Sequence, residues 1–135
     1  MTAALLAASE PASAGAAGVL FSVEKPRYTF QLDEPASDLS GRRSLRARLS
    51  SHGSWHVNPD YPVRLEVHGA GLHLERQRFG RDEAARLSEA GFEFRLSFEP
   101  GSGEPMQLRG RLRFGLCRDR ERCEALDQPF AARVP

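Results

Sequence analysis

Leu108–Arg109–Gly110–Arg111–Leu112–Arg113–Phe114 sets an apolar or small residue at every second position with an arginine between, and the chain continues Gly115–Leu116–Cys117, five charged residues, Cys123. That period of two is the signature of a β-strand with one face on a core and the other in water. A hairpin whose loop holds the charged residues brings Cys117 and Cys123 close to facing positions, where opposed Cβ atoms stand about 4.5–5.5 Å apart.

The same alternation recurs on both sides. Leu45, Ala47 and Leu49 alternate with Arg46, Arg48 and Ser50. Val63, Leu65 and Val67 alternate with Arg64, Glu66 and His68, and Phe92, Phe94, Leu96 and Phe98 with Glu93, Arg95 and Ser97. Shorter strands are predicted at residues 20–24, 28–32, 55–57, 72–75 and 130–134. Breakers separate them: residues 35–41, the tight connection Gly69–Ala70–Gly71, and Glu99–Pro100–Gly101–Ser102–Gly103, which is expected to turn a hairpin. Only residues 81–90 have helical composition, and they are short and polar. Eight or nine short strands with Gly and Pro turns predict an all-β fold, an immunoglobulin-like antiparallel β-sandwich.

A length of 135 residues suits one domain. Residues 19–135 are expected to form it. Residues 1–18 are mostly Ala, Ser, Gly and Pro with one apolar patch at residues 3–8, and read as a flexible segment, either the remnant of an export signal or a linker. No stretch approaches the roughly 20 apolar residues that cross a bilayer. A net charge of +1, with acids interleaved among the arginines, predicts no basic face and so no nucleic-acid partner.

Chemistry, if present, is expected at the two cysteines. On the chain-entropy model a seven-residue ring stabilises by roughly 2–2.5 kcal/mol, against nearly 5 for a ring of about 100 residues. The spacing therefore leaves three readings open: a structural disulfide, a redox-active pair, or else free thiols or a metal site. Two cysteines with no adjacent His make an incomplete metal site, and neither a metal site nor a cofactor is expected. Export is inferred chiefly from the cysteines, giving a periplasmic or otherwise exported protein, lipid-anchored or free.

From about residue 28 to residue 134 the order of features resembles the N-terminal periplasmic domain of the DsbD thiol:disulfide interchange family. The resemblance rests on Gly53–Ser54–Trp55–His56–Val57–Asn58 followed by Pro62–Val63–Arg64–Leu65, on Arg78–Phe79–Gly80, and on Gly115–Leu116–Cys117 with Cys123 after five residues. It implies an immunoglobulin-like fold, Cys117 and Cys123 as the exchanging catalytic pair (Cys123 attacking, Cys117 resolving), Phe79 as an aromatic shield over them, and a thioredoxin-like redox partner in the envelope. The chain departs from the family at Glu124–Ala125–Leu126, where prolines usually follow the second cysteine, and at Gln77 and Arg78, where acids are expected near the shield.

Other residues have plainer readings. Trp55 is expected in the core. Pro59–Asp60–Tyr61–Pro62 reads as a rigid turn that exposes Tyr61 to a partner, and His68 and His73 fall on solvated faces. No nucleophile elbow and no phosphate loop is present. The reading from a different class is a non-enzymatic sandwich that binds another envelope protein through an edge strand or loop surface, with a structural disulfide.

Overall fold

The computed structural model describes residues 18–37, 40–119 and 122–135. The flexible segment expected at residues 1–18 lies, apart from Gly18, outside the described residues. Twelve strands occupy the rest: β1 (Val19–Glu24), β2 (Tyr28–Asp33), β3 (Ala36–Ser37), β4 (Arg43–Ser51), β5 (Trp55–Val57), β6 (Arg64–Ala70), β7 (Leu72–Leu74), β8 (Arg78–Phe79), β9 (Arg86–Ser88), β10 (Gly91–Pro100), β11 (Met106–Arg118) and β12 (Arg122–Val134). They build two packed antiparallel sheets, so the chain is an all-β, immunoglobulin-like sandwich. One sheet runs β1–β2–β4–β10–β7, with β3 on β4 and β9 on β10; the other runs β12–β11–β6–β8, with β5 on β11.

Alternation decides which side chains meet between the sheets. Phe30, Leu32, Leu45, Ala47, Leu49, Phe94, Leu96 and Phe98 come from the first sheet, and Leu65, Val67, Leu108, Leu112, Phe114 and Leu116 from the second; all are buried. Burying each Leu, Val or Phe among them stabilises by about 1.5–3 kcal/mol relative to exposure. Aromatic rings bridge the layers: Tyr28 meets Phe114 edge-on at 5.1 Å, Phe92 meets Phe114 at 5.8 Å, and Phe30 meets Phe130 at 5.4 Å. Gly110 faces Phe130 in the β11–β12 ladder, and its missing side chain makes room, since a Cβ there would stand 2.7 Å from the Phe130 ring. One buried hydrogen bond also crosses between the sheets, from the Tyr28 hydroxyl to Gln128 Oε1 at 2.5 Å. Burial raises the Tyr28 pKa above the usual phenol value.

One turn acts differently from its sequence expectation. Residues 99–103 join β10 to β11, which lie in different sheets, so they form a sheet-to-sheet corner and not a hairpin. Gly69–Ala70–Gly71 is the tight connection expected, and it too crosses between sheets, from β6 to β7. The two corners pack on each other: Gly101 N donates to Gly71 O at 2.9 Å, and Gly71 adopts φ +76°, where a Cβ would meet Pro105 O at 2.3 Å. Residues 81–90 hold a single 3₁₀ turn, Arg81–Glu83, followed by β9, because Ala85 N bonds Glu93 O and Arg86–Ser88 joins the β10 ladder.

Candidate functional site

β11 and β12 form the longest hairpin, with thirteen facing pairs from Met106↔Val134 to Arg118↔Arg122. Cys117 faces Cys123 directly and is bonded to it, with Cα atoms 4.0 Å apart. The ladder continues one pair beyond the bond, to Arg118 and Arg122, and Asp119 begins the turn at φ 55°, a left-handed conformation that Asp tolerates better than most side chains. Cys117 is half-buried and Cys123 exposed.

On its other side β11 pairs with β5, placing His56 opposite Cys117 and Trp55 opposite Arg118. Opposed residues share a face of the sheet. His56, Cys117 and Cys123 therefore form one row on the outer face, while Trp55, Arg118 and Arg122 lie on the other. There the Trp55 ring is partly buried against the core, with the guanidiniums of Arg27 and Arg118 at 5.5 and 5.6 Å from its centroid. Each such contact is worth roughly 0.5–1 kcal/mol at an exposed site. Arg27 also pairs with Glu124. Tyr61 is half-buried, its ring laid on the backbone of Gly115, where a Cβ would stand 2.6 Å from the ring. Asn58 holds that turn: its N–H donates to Gly115 O at 3.0 Å, its carbonyl accepts from Tyr61 N at 3.2 Å, and its Oδ1 accepts from Asp60 N at 3.0 Å.

Phe79 does not stand over the sulfurs. It is 7% exposed, its ring packs on Phe94 at 5.6 Å, and it faces Leu65 across β8–β6. Leu65 in turn faces Leu112, five residues before Cys117. At about 3.4 Å per residue that is roughly 17 Å of strand. Phe79 is a core side chain, and the aromatic groups near the cystine are Tyr61 and Trp55.

The four histidines are dispersed. His52 Nε2 lies 2.7 Å from Thr29 Oγ1, His56 sits beside the cystine, and His68 and His73 are exposed on the strands, as the alternation predicts. No group of three or more His, Cys, Asp or Glu side chains is placed to hold a metal among the described residues.

The charge distribution was not anticipated. On the outer face of the seven-stranded sheet, two guanidiniums meet carboxylates: Arg48 Nε lies 2.9 Å from Asp33 Oδ2, and Arg46 lies between Asp33 (3.7 Å) and Glu93 (3.8 Å), while Arg95, opposite Arg46, has no carboxylate within ion-pair distance among the described residues. The outer face of the five-stranded sheet is different. Rows run Arg64–Arg113–Asp127, Arg78–Glu66–Arg111–Pro129, His68–Arg109–Ala131 and Ala70–Gln107–Arg133. Six guanidiniums there face two carboxylates, which corrects the expectation that interleaved acids leave no basic face. The missed signal is local: from Pro105 to Arg118 the sequence holds no acid, and Arg109, Arg111 and Arg113 share one parity.

No family model and no curated protein matches the chain. Solved structures that align with it include the GAE domain of GGA2p from Saccharomyces cerevisiae (10% identity, 86% of this chain and 97% of that one, TM-score 0.45) and the yeast GGA1 GAE domain (14% identity, 85% and 97%, TM-score 0.44). The resemblance to the DsbD family is thereby corrected: no family model supports it, and these aligned structures are GAE domains. The physical reason lies in the hairpin. The five residues between the facing cysteines include one further opposed strand pair, Arg118 and Arg122, so the spacing reports β geometry and carries no information about electron transfer. Exchange catalysis by Cys117 and Cys123 falls with the resemblance that implied it, and Phe79 lies in the core, away from the pair it was expected to shield.

Proposed function

We propose that this chain is a non-enzymatic protein-binding β-sandwich whose Cys117–Cys123 bond clamps the hairpin that carries its binding face. The single observation behind this reading is the basic outer face of the five-stranded sheet. Arg64 sits directly opposite Arg113 there, and like charges facing each other across a ladder destabilise it. A partner of opposite charge offsets that repulsion, and complementary fields speed and select its docking. The long hairpin supplies a rigid, pleated platform for the guanidiniums, and a bond near its tip opposes fraying. Tyr61, fixed on Gly115 at one end of the same face, adds an aromatic contact. The exposed side chain of Cys123 argues for residence in an oxidising compartment, the periplasm or beyond, because cytosolic reductants open reachable disulfides.

The test is a photo-crosslinking residue introduced at Gln107 on this face, or at Arg95 on the opposite one, in the cells that make the protein. A discrete protein adduct is expected from position 107 and none from position 95, and the adduct persists when both cysteines are replaced by serine. Failure to crosslink at position 107, or an adduct that requires the cysteines, overturns the reading.

A further inference from the structure

The outer face of the five-stranded sheet is not uniform. Asp127 binds the guanidiniums at one end, with Oδ1 3.1 Å from Arg111 Nε and Oδ2 3.8 Å from Arg113 Nε, and Glu66 lies 3.9 Å from Arg78. At the other end is a shallow groove of about 430 Å³, lined by the small residues Gly69, Ala70 and Ala131 and flanked by His68, Arg109 and Arg133. Neither Arg109 nor Arg133 has a carboxylate within ion-pair distance among the described residues.

We infer that this groove docks an acidic, extended segment of a partner protein, its carboxylates seated on Arg109 and Arg133; the inference rests on the protein-binding reading above and gives it a site and a partner chemistry. Three observations favour this occupant. Asp127 is a carboxylate already spanning two guanidiniums that are neighbours along β11, so the face itself displays the contact. Arg133 on β12 faces Gln107, so it is the diagonal neighbour of Arg109 across the β11–β12 ladder; such residues stand about 7–8 Å apart, close to the roughly 6.8 Å between alternate side chains of an extended peptide. No Phe, Tyr or Trp lines the groove, so His68 is the one ring there for a base to stack on, and two unpaired guanidiniums are few against a run of phosphates.

The experiment titrates the whole chain with a short fluorescent peptide alternating Glu and Ala, and with its Gln–Ala counterpart, by anisotropy. Saturable binding is expected for the Glu peptide alone, weakening as salt is added. Arg109→Glu and Arg133→Glu should each cost about tenfold in affinity, the value of one charge-assisted contact. Arg95→Glu on the opposite face should leave affinity unchanged. All three arginines are exposed, so melting temperatures should stay level, and Arg109→Gln, which loses the contact without reversing charge, should give the same direction of effect. Equal binding of both peptides, indifference to the groove substitutions, or tighter Arg109-dependent binding of oligothymidylate or phosphatidylglycerol vesicles overturns the proposal. If the adduct at position 107 survives in the Arg109→Glu/Arg133→Glu variant, this groove is refuted while the protein-binding reading stands.

Discussion

Replacing Tyr28 by Phe deletes one oxygen from the middle of the molecule and leaves its shape unchanged. The Tyr28 hydroxyl donates to Gln128 Oε1 at 2.5 Å, both residues are buried (5% and 7% exposed), and the bond joins β2 in one sheet to β12 in the other. The ring still fills its place against Phe114, so no cavity term enters. What remains is a buried amide oxygen without its donor, at a cost of about 1–3 kcal/mol. Gln128→Leu should cost a similar amount, since it orphans the hydroxyl and also removes the Nε2 bond to Pro129 O at 2.8 Å. The double variant should be less destabilised than the sum of the two by about 1 kcal/mol or more, because neither partner is then left unpaired. Urea unfolding with a constant m-value measures all three. The same hydroxyl sets a pH dependence. Burial first, opposed by Arg27 and reinforced by Asp127, raises its folded-state pKa above the unfolded value. Its contribution is therefore complete below about pH 10 and is lost as pH rises through the folded pKa, when the unfolded chain releases a proton that the folded one retains. The Tyr28→Phe variant lacks that component of alkaline loss. Additive single effects, or a Tyr28→Phe cost within about 0.5 kcal/mol of zero, would refute the bridge between the sheets.

Three further outcomes follow from the geometry. Replacing both cysteines by serine should lower stability by about 2–2.5 kcal/mol, the chain-entropy value for a seven-residue ring, and leave the circular dichroism spectrum of the folded state unchanged. Gly110→Ala should destabilise by about 1–3 kcal/mol in thermal melts, because its Cβ would meet both Glu66 O (2.1 Å) and the Phe130 ring (2.7 Å) in a filled core. Phe79→Leu should cost about 1 kcal/mol, because the smaller side chain fills less of the place against Phe94, and leave the rate at which dithiothreitol reduces the native disulfide unaltered, whereas a shield over the sulfurs would make that rate climb.

Much of the sandwich was legible because alternation is a physical constraint on half-buried strands. Residues 45–50, 55–57, 92–98 and 108–114 all lie inside observed strands, and the facing of Cys117 and Cys123 followed from the hairpin. Connectivity was less legible. A Pro–Gly turn specifies a reversal of direction but not whether the next strand stays in its sheet, so residues 99–103 looked like a hairpin and are a corner. β3, β8 and β9 are two or three residues long and owe their existence to ladders offered by β4, β6 and β10, not to any pattern of their own. The start of β12 was hidden for a related reason: Arg122, Cys123 and Ala125 are exposed, and the facing strand β11 extends it well before the apolar signal of residues 130–134. The site suffered from a different ambiguity. A cysteine spacing dictated by hairpin geometry matches a redox motif and a clamp equally well.

The acids and arginines that look interleaved along the chain are separated by the pleat. In a strand, parity assigns each charge to a face, so a sequence balanced overall can build one face far from balance. β11 does this with Arg109, Arg111 and Arg113 at one parity and Leu108, Leu112 and Phe114 at the other, and β6 and β12 add Arg64 and Arg133 to the same side. The rest of the chain is then left with more acids than bases, which is how a net charge of +1 conceals six guanidiniums against two carboxylates. Repulsion on such a face is eased only where a carboxylate reaches it. Asp127 and Glu66 ease it at one end, and the opposite end, around Arg109 and Arg133, has no such internal relief among the described residues. An external carboxylate therefore gains most at that end, because it meets guanidiniums whose charge is not already spent on the protein's own acids.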